Sequence, residues 1–141
     1  MAKALITIIG HQKFDDDKDQ VEMKTVGTFE HDDDNYIIRY NVELENSTAP
    51  LRAKLNIAKD ESKVEMIKSG AYSSCLIIEK SKRHLCNYGT EYGDMLMGIF
   101  GREIKTEFNE TEGTFKFSYD IDINGAISSQ NDVIIKFRLC E

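Results

Sequence analysis

Thr114-Phe115-Lys116-Phe117-Ser118-Tyr119-Asp120-Ile121-Asp122-Ile123 alternates without a break. Phe115, Phe117, Tyr119, Ile121 and Ile123 fall on one parity, and Thr114, Lys116, Ser118, Asp120 and Asp122 on the other. Successive side chains of a strand point to opposite faces, so this run is a strand with one apolar and one polar face. A slip of one residue would expose all the apolar groups, which fixes its register. Asn124-Gly125 follows directly. Asn and Gly both tolerate the positive φ of a type I′ turn, so the chain reverses there into the run ending Val133-Ile134-Ile135-Lys136-Phe137-Arg138-Leu139.

The same period of two extends outward from this hairpin. Tyr36, Ile38, Tyr40, Val42 and Leu44 share one parity, and Leu51, Ala53, Leu55 and Ile57 do so in the next run. Strand-like runs cover Lys3–Ile9, Val21–Glu30, Tyr36–Leu44, Leu51–Ala58, Lys63–Lys68, Tyr72–Glu79, Arg83–Tyr88, Met95–Phe108, Thr114–Ile123 and Ala126–Leu139. Lys59-Asp60-Glu61-Ser62, Lys80-Ser81-Lys82 and Glu110-Thr111-Glu112-Gly113 mark reversals between them. Between Asp94 and Ile104 a short helix competes, but Gly98 and Gly101 favour a bent strand. No stretch gives a convincing helical period. An antiparallel series of one-face-apolar strands with short turns predicts an up-and-down β-barrel of about 8–10 strands, because closure removes exposed sheet edges.

Length and composition agree with one domain over residues 1–141. With 40% hydrophobic and 30% charged residues the chain can build one modest core. No apolar run approaches the ~18–20 residues of a membrane span. The opening segment from Met1 to Ile9 lacks a long apolar stretch with a cleavage site, and is read as a first strand rather than an export signal. The formal charge is −7. An acidic chain repels phosphate backbones, so nucleic acid is not expected as a partner. The charge is uneven: residues 51–105 hold 10 basic and 7 acidic side chains, while both flanks are acidic.

Motif chemistry is sparse. The three cysteines, Cys75, Cys86 and Cys140, have no metal-binding or redox spacing. They read as free thiols of a cytoplasmic protein. His11, His31 and His84 form no metal-ligand pattern. Asp15, Asp17 and Asp19 open like a calcium loop, but Gln20 and Val26 stand where glycine and glutamate are required. There is no nucleophile elbow, phosphate loop or dinucleotide fingerprint. The sequence therefore supplies no catalytic, metal or cofactor residues, and leans away from an enzyme.

The second half is similar to a known family. Tyr88-x-Thr90-x-Tyr92-Gly93, Gly113-x-Phe115-x-Phe117-x-Tyr119-x-Ile121, Asn124-Gly125, Ser129, Asn131 and the run Val133–Phe137 resemble the YwiB-like family of small uncharacterised bacterial proteins. The resemblance implies a calycin-type, lipocalin-like barrel, and supplies neither an activity nor a ligand. Such a barrel can be filled by side chains or can enclose one small ligand. The candidate ligand-contacting residues are Tyr36, Tyr40 and Tyr119 on the inward parity, together with Tyr88, Tyr92 and Arg102 near an expected barrel mouth. Buried phenols need hydrogen-bond partners, and a guanidinium matches a carboxylate or phosphate. The expectation is a small, partly apolar ligand inside the barrel. The alternative is a filled barrel serving as a non-catalytic interaction or regulatory module, its protein partner unspecified.

Overall fold

The computed structural model describes residues 2–14, 17–42, 51–70, 73–90, 93–123 and 125–140, with Thr90 and Ile127 described by backbone alone. It is built of β1 (Ala2–Phe14), β2 (Asp17–His31), β3 (Asn35–Val42), β4 (Leu51–Ala58) and β5 (Lys63–Ser69), followed by five more strands. These are β6 (Ser74–Glu79), β7 (Arg83–Thr90), β8 (Gly93–Phe108), β9 (Glu112–Ile123) and β10 (Ala126–Leu139). Each strand pairs antiparallel with its chain neighbours, and β1 also pairs with β10, so the sheet is a closed barrel. No helix among the described residues is long and apolar enough to cross a membrane.

The alternation of β9 becomes the inside and outside of this barrel. Phe115 and Phe117 are fully enclosed. They lie opposite Ile135 and Val133 on β10, and opposite Thr106 and Ile104 on β8. Ile6, Ile38, Leu55, Ile57, Val64 and Ile78 extend the same core around the wall. The Asp94–Ile104 segment is a strand, as its glycines suggest. Its irregular pattern has a cause: the ladder with β9 shifts register between Gly101 and Glu103. Such a bulge inserts a residue and resets the in–out parity, so Ile99 and Ile104 both reach the core.

One end of the barrel is closed by aromatic side chains. Phe29 stacks on Phe137 at 4.4 Å between ring centroids and packs on Phe108 at 5.0 Å. Tyr36 meets Phe115 at 5.1 Å, and the Lys59 ammonium lies 5.2 Å from the Tyr36 ring. The turns at this end are held by side chains. Asp32 accepts hydrogen bonds from the backbone N–H groups of Asp34 and Asn35 at 2.8 and 2.7 Å, which lowers its carboxyl pKa. Asp60 and Asn109 do the same for Ser62 and Glu112. The acids of the Asp32–Asp34 cluster are thus turn-forming as well as solvated.

Two strands are longer than the sequence pattern indicates. β1 continues from Ile9 to Phe14, and β2 begins at Asp17 rather than Val21. Asp17, Lys18, Asp19, Gln20 and Val21 are all exposed. Both faces of this hairpin tip meet solvent, so the apolar–polar alternation that marks a half-buried strand is absent there. Asp17 and Asp19 accordingly lie on an exposed strand, while Asp15 falls outside the described residues. Among the described residues no cluster of His, Cys, Asp and Glu could hold a metal ion.

Candidate functional site

The site is built from one row of side chains across β3 to β7. Tyr40 on β3 faces Ala53 on β4, and Ala53 faces Lys68 on β5. Lys68 faces Ser74 on β6, and Ser74 faces Tyr88 on β7. Residues directly opposite in a ladder point to the same face. Ala53 and Tyr40 are buried in the core, so the whole row faces inward. Lys68 shares its parity with Val64 and Met66, which also contact the core. The row lies toward the end opposite the aromatic closure.

The row is polar, and the buried Ser129 and Asn131 on β10 add to this polarity, Asn131 facing Tyr119 and donating to the Ser129 hydroxyl at 3.1 Å. Lys68 makes no hydrogen bond or ion pair with a described residue, and neither do the hydroxyls of Tyr40, Tyr88 and Tyr119. The single sealed polar side-chain atom among the described residues that lacks a hydrogen bond is Asp120 Oδ1, and it is ion-paired with Arg102. The ammonium of Lys68 and these three hydroxyls are not sealed from solvent, and Lys68 and Tyr88 are half-buried. Burial pushes the Tyr40 phenol up to about 12. Burial, with a further contribution from the nearby Tyr88, pushes the Tyr119 phenol up to about 12. Desolvation lowers the Lys68 ammonium below the usual lysine value. All three shifts have the same cause: an apolar surrounding disfavours the charged form.

Tyr40 and Ala53 also line a cleft of about 800 Å³ where β2 and β3 part. Their ladder runs from His31↔Tyr36 only as far as Thr28↔Arg39. Gly27 lies at this point, and a Cβ there would run into the Arg39 carbonyl oxygen. Only glycine allows so close an approach. The cleft is lined by Lys3, Arg39, Arg52 and Lys54 and by no acidic side chain. Arg39 forms an ion pair with Glu30 beside it.

The sequence-derived candidates are distributed as follows. Tyr40, Tyr88 and Tyr119 face the inside, the first two in the row and the third close enough to Tyr88 to feel its charge. Tyr36 belongs to the aromatic closure at the far end, where it also lines a separate cleft of about 730 Å³. Arg102 lies on the outer wall. Its Nε is 3.0 Å from Asp120 Oδ1, and its Nη2 is 3.5 Å from Asp132 Oδ1, so its charge is already matched. Tyr92 lies outside the described residues. The residues that sequence reasoning missed are Lys68 and Ser74. The signal for Lys68 was present: it follows Val64 and Met66 on the apolar parity of its run.

On the outer wall a second charged arrangement spans three strands. Arg83 donates to both carboxylate oxygens of Asp122 at 2.8 and 2.7 Å. The pair crosses Gly98, where any Cβ would collide with both partners. Asp122 also accepts the backbone N–H of Gly125 at 3.2 Å, linking the β9–β10 turn to β7. Asp122 is buried despite its outward parity because Arg83 covers it. Its carboxyl is held below the usual aspartate value, first by Arg83. This arrangement is a brace with all its valences used.

These features define a closed, ten-stranded antiparallel barrel with an aromatic plug at one end and a polar inward row toward the other. The chain belongs to the family described as Domain of unknown function (DUF1934), whose model matches residues 6–135. It is also similar to the crystal structure of the ywiB protein from Bacillus subtilis, with a TM-score of 0.86 at 13% sequence identity. That likeness covers 99% of this chain and 93% of that one, and is a likeness of fold. No curated protein matches the chain.

Proposed function

We propose that this protein is a non-enzymatic carrier or sensor that binds a small, partly apolar molecule inside the barrel. The observation that carries the reading is the inward row Tyr40–Ala53–Lys68–Ser74–Tyr88, whose lysine and tyrosines have no hydrogen-bond partner among the described residues. These groups keep access to solvent, and a hydrogen bond made in their partly desolvated, apolar surrounding is stronger than one in open water. A ligand that supplies such partners gains affinity from them. The apolar wall of Leu55, Met66 and Leu76 beside the row suits the body of such a ligand. The row favours this reading over a barrel filled throughout and acting through its surface.

The closed meander is the connectivity a calycin-type assignment requires, and that assignment is kept as part of the proposal. A cytoplasmic setting is supported by three unpaired cysteines, two of them exposed. The acidic net charge supports a partner other than nucleic acid. The test is mass spectrometry of the protein under non-denaturing conditions, after gentle isolation from cells. The expected result is a small adduct that is released on acid unfolding. A bare chain mass, with no member of an amphiphile library raising the melting temperature, would overturn the proposal.

A further inference from the structure

We infer that the ligand of the barrel is an amphiphilic anion whose acidic head group sits on Lys68. This rests on the interior-binding reading above and names its ligand class.

Lys68 is the one charged member of the inward row. Lys68 stands on the inner face of β5, on the parity of Val64 and Met66 and opposite Ala53; it is half-buried, and no carboxylate of a described residue is paired to it. Partial desolvation already disfavours this unpaired charge, and an anion brought in from outside would restore the charged form. The neighbours of Lys68 leave room for such an anion. The side chains directly opposite it, Ala53 and Ser74, are small, and both phenols of the row stand one strand further out. Tyr40 is two strands from Lys68, a backbone separation of roughly 10 Å. The residue between them, Ala53, is small. A carboxylate placed there accepts from the Lys68 ammonium and from the Tyr40 hydroxyl, and Ser74 offers a third donor.

A second, independent observation has the same sign. The cleft that Tyr40 and Ala53 line carries Lys3, Arg39, Arg52 and Lys54, with Glu30 beside it paired to Arg39, so cations outnumber acids there in a chain whose net charge is −7. A local positive field in an acidic protein draws anions to that part of the surface. The apolar wall beyond Lys68 excludes a small, fully hydrated anion as the best occupant, because phosphate or sulfate would leave that wall uncovered. An alkyl or aryl carboxylate satisfies both parts.

The test is calorimetric titration of the full chain with three twelve-carbon probes: dodecanoate, dodecanol and dodecylammonium. The wild type should bind dodecanoate about tenfold or more tightly than dodecanol, the order expected for one charge-assisted contact. Dodecylammonium should bind weakest. Lys68→Met should lose the preference while still binding dodecanol, and Lys68→Arg should retain it. In the absence of ligand, Lys68→Met should melt at a higher temperature than the wild type, because it replaces a partly desolvated, unpaired ammonium by an apolar side chain. Equal wild-type affinity for dodecanoate and dodecanol, or a preference that survives in Lys68→Met, would overturn the head-group assignment and leave interior binding intact. Failure of every probe to bind would overturn the interior reading and this inference with it.

Discussion

Phe115 shows how much a single side chain decides. It is fully enclosed and touches Tyr36 and Phe137 at the aromatic closure. Phe115→Ala should cost about 3–5 kcal/mol in urea unfolding, from lost transfer energy plus the cavity left behind. Asp122 is decided by charge. Its carboxyl is lowered by Arg83, so the pair's stabilisation is fully present above the ordinary aspartate value of about 3.9. It is lost as pH falls through the lower folded value. Asp122→Asn should therefore melt below the wild type at neutral pH, and the gap should narrow on acidification. The tyrosines act at the other end of the scale. Tyr40 and Tyr119 ionise only at about 12, so they stabilise the fold below the usual phenol value and cease to do so as pH rises past about 12. Absorbance titration of the native protein should show a tyrosine fraction that resists ionisation, and Tyr40→Phe should diminish it. The inward phenols were legible from parity alone. The fate of Arg102 was not, because its partners Asp120 and Asp132 lie on β9 and β10 and meet it only once the β8–β9 and β9–β10 registers are set.

Among the elements, the strands with one buried face could be read directly. β4 is the clearest: Leu51, Ala53, Leu55 and Ile57 are all buried, as their spacing requires. The β1–β2 tip could not be read, because a strand solvated on both sides carries no alternation. β8 was hard for a different reason: its bulge at Gly101/Glu103 breaks the parity partway along. The β2–β3 junction depends on one residue. Gly27→Ala places a methyl against the Arg39 carbonyl, and β2 must move away to accept it. Hydrogen exchange at the amides of the Thr28–His31 and Tyr36–Arg39 ladder should speed up, while exchange across β9–β10 should be unchanged.

For the whole molecule, closure of β1 on β10 was foreseeable from the number of one-face-apolar strands. The composition of the interior was less so. Sequence places Tyr40, Lys68 and Tyr88 in separate runs, and only the paired registers of β3 through β7 bring them into one row. That row gives a barrel with an aromatic closure at one end and a polar inward row toward the other. The most direct test is an isotope-edited NMR measurement of intermolecular NOEs from bound dodecanoate to aromatic ring protons. The account predicts contacts to the inward rings of Tyr40 and Tyr88. Contacts confined to outer-wall residues such as Leu85 and Leu96, which are 61% and 60% exposed, would contradict it.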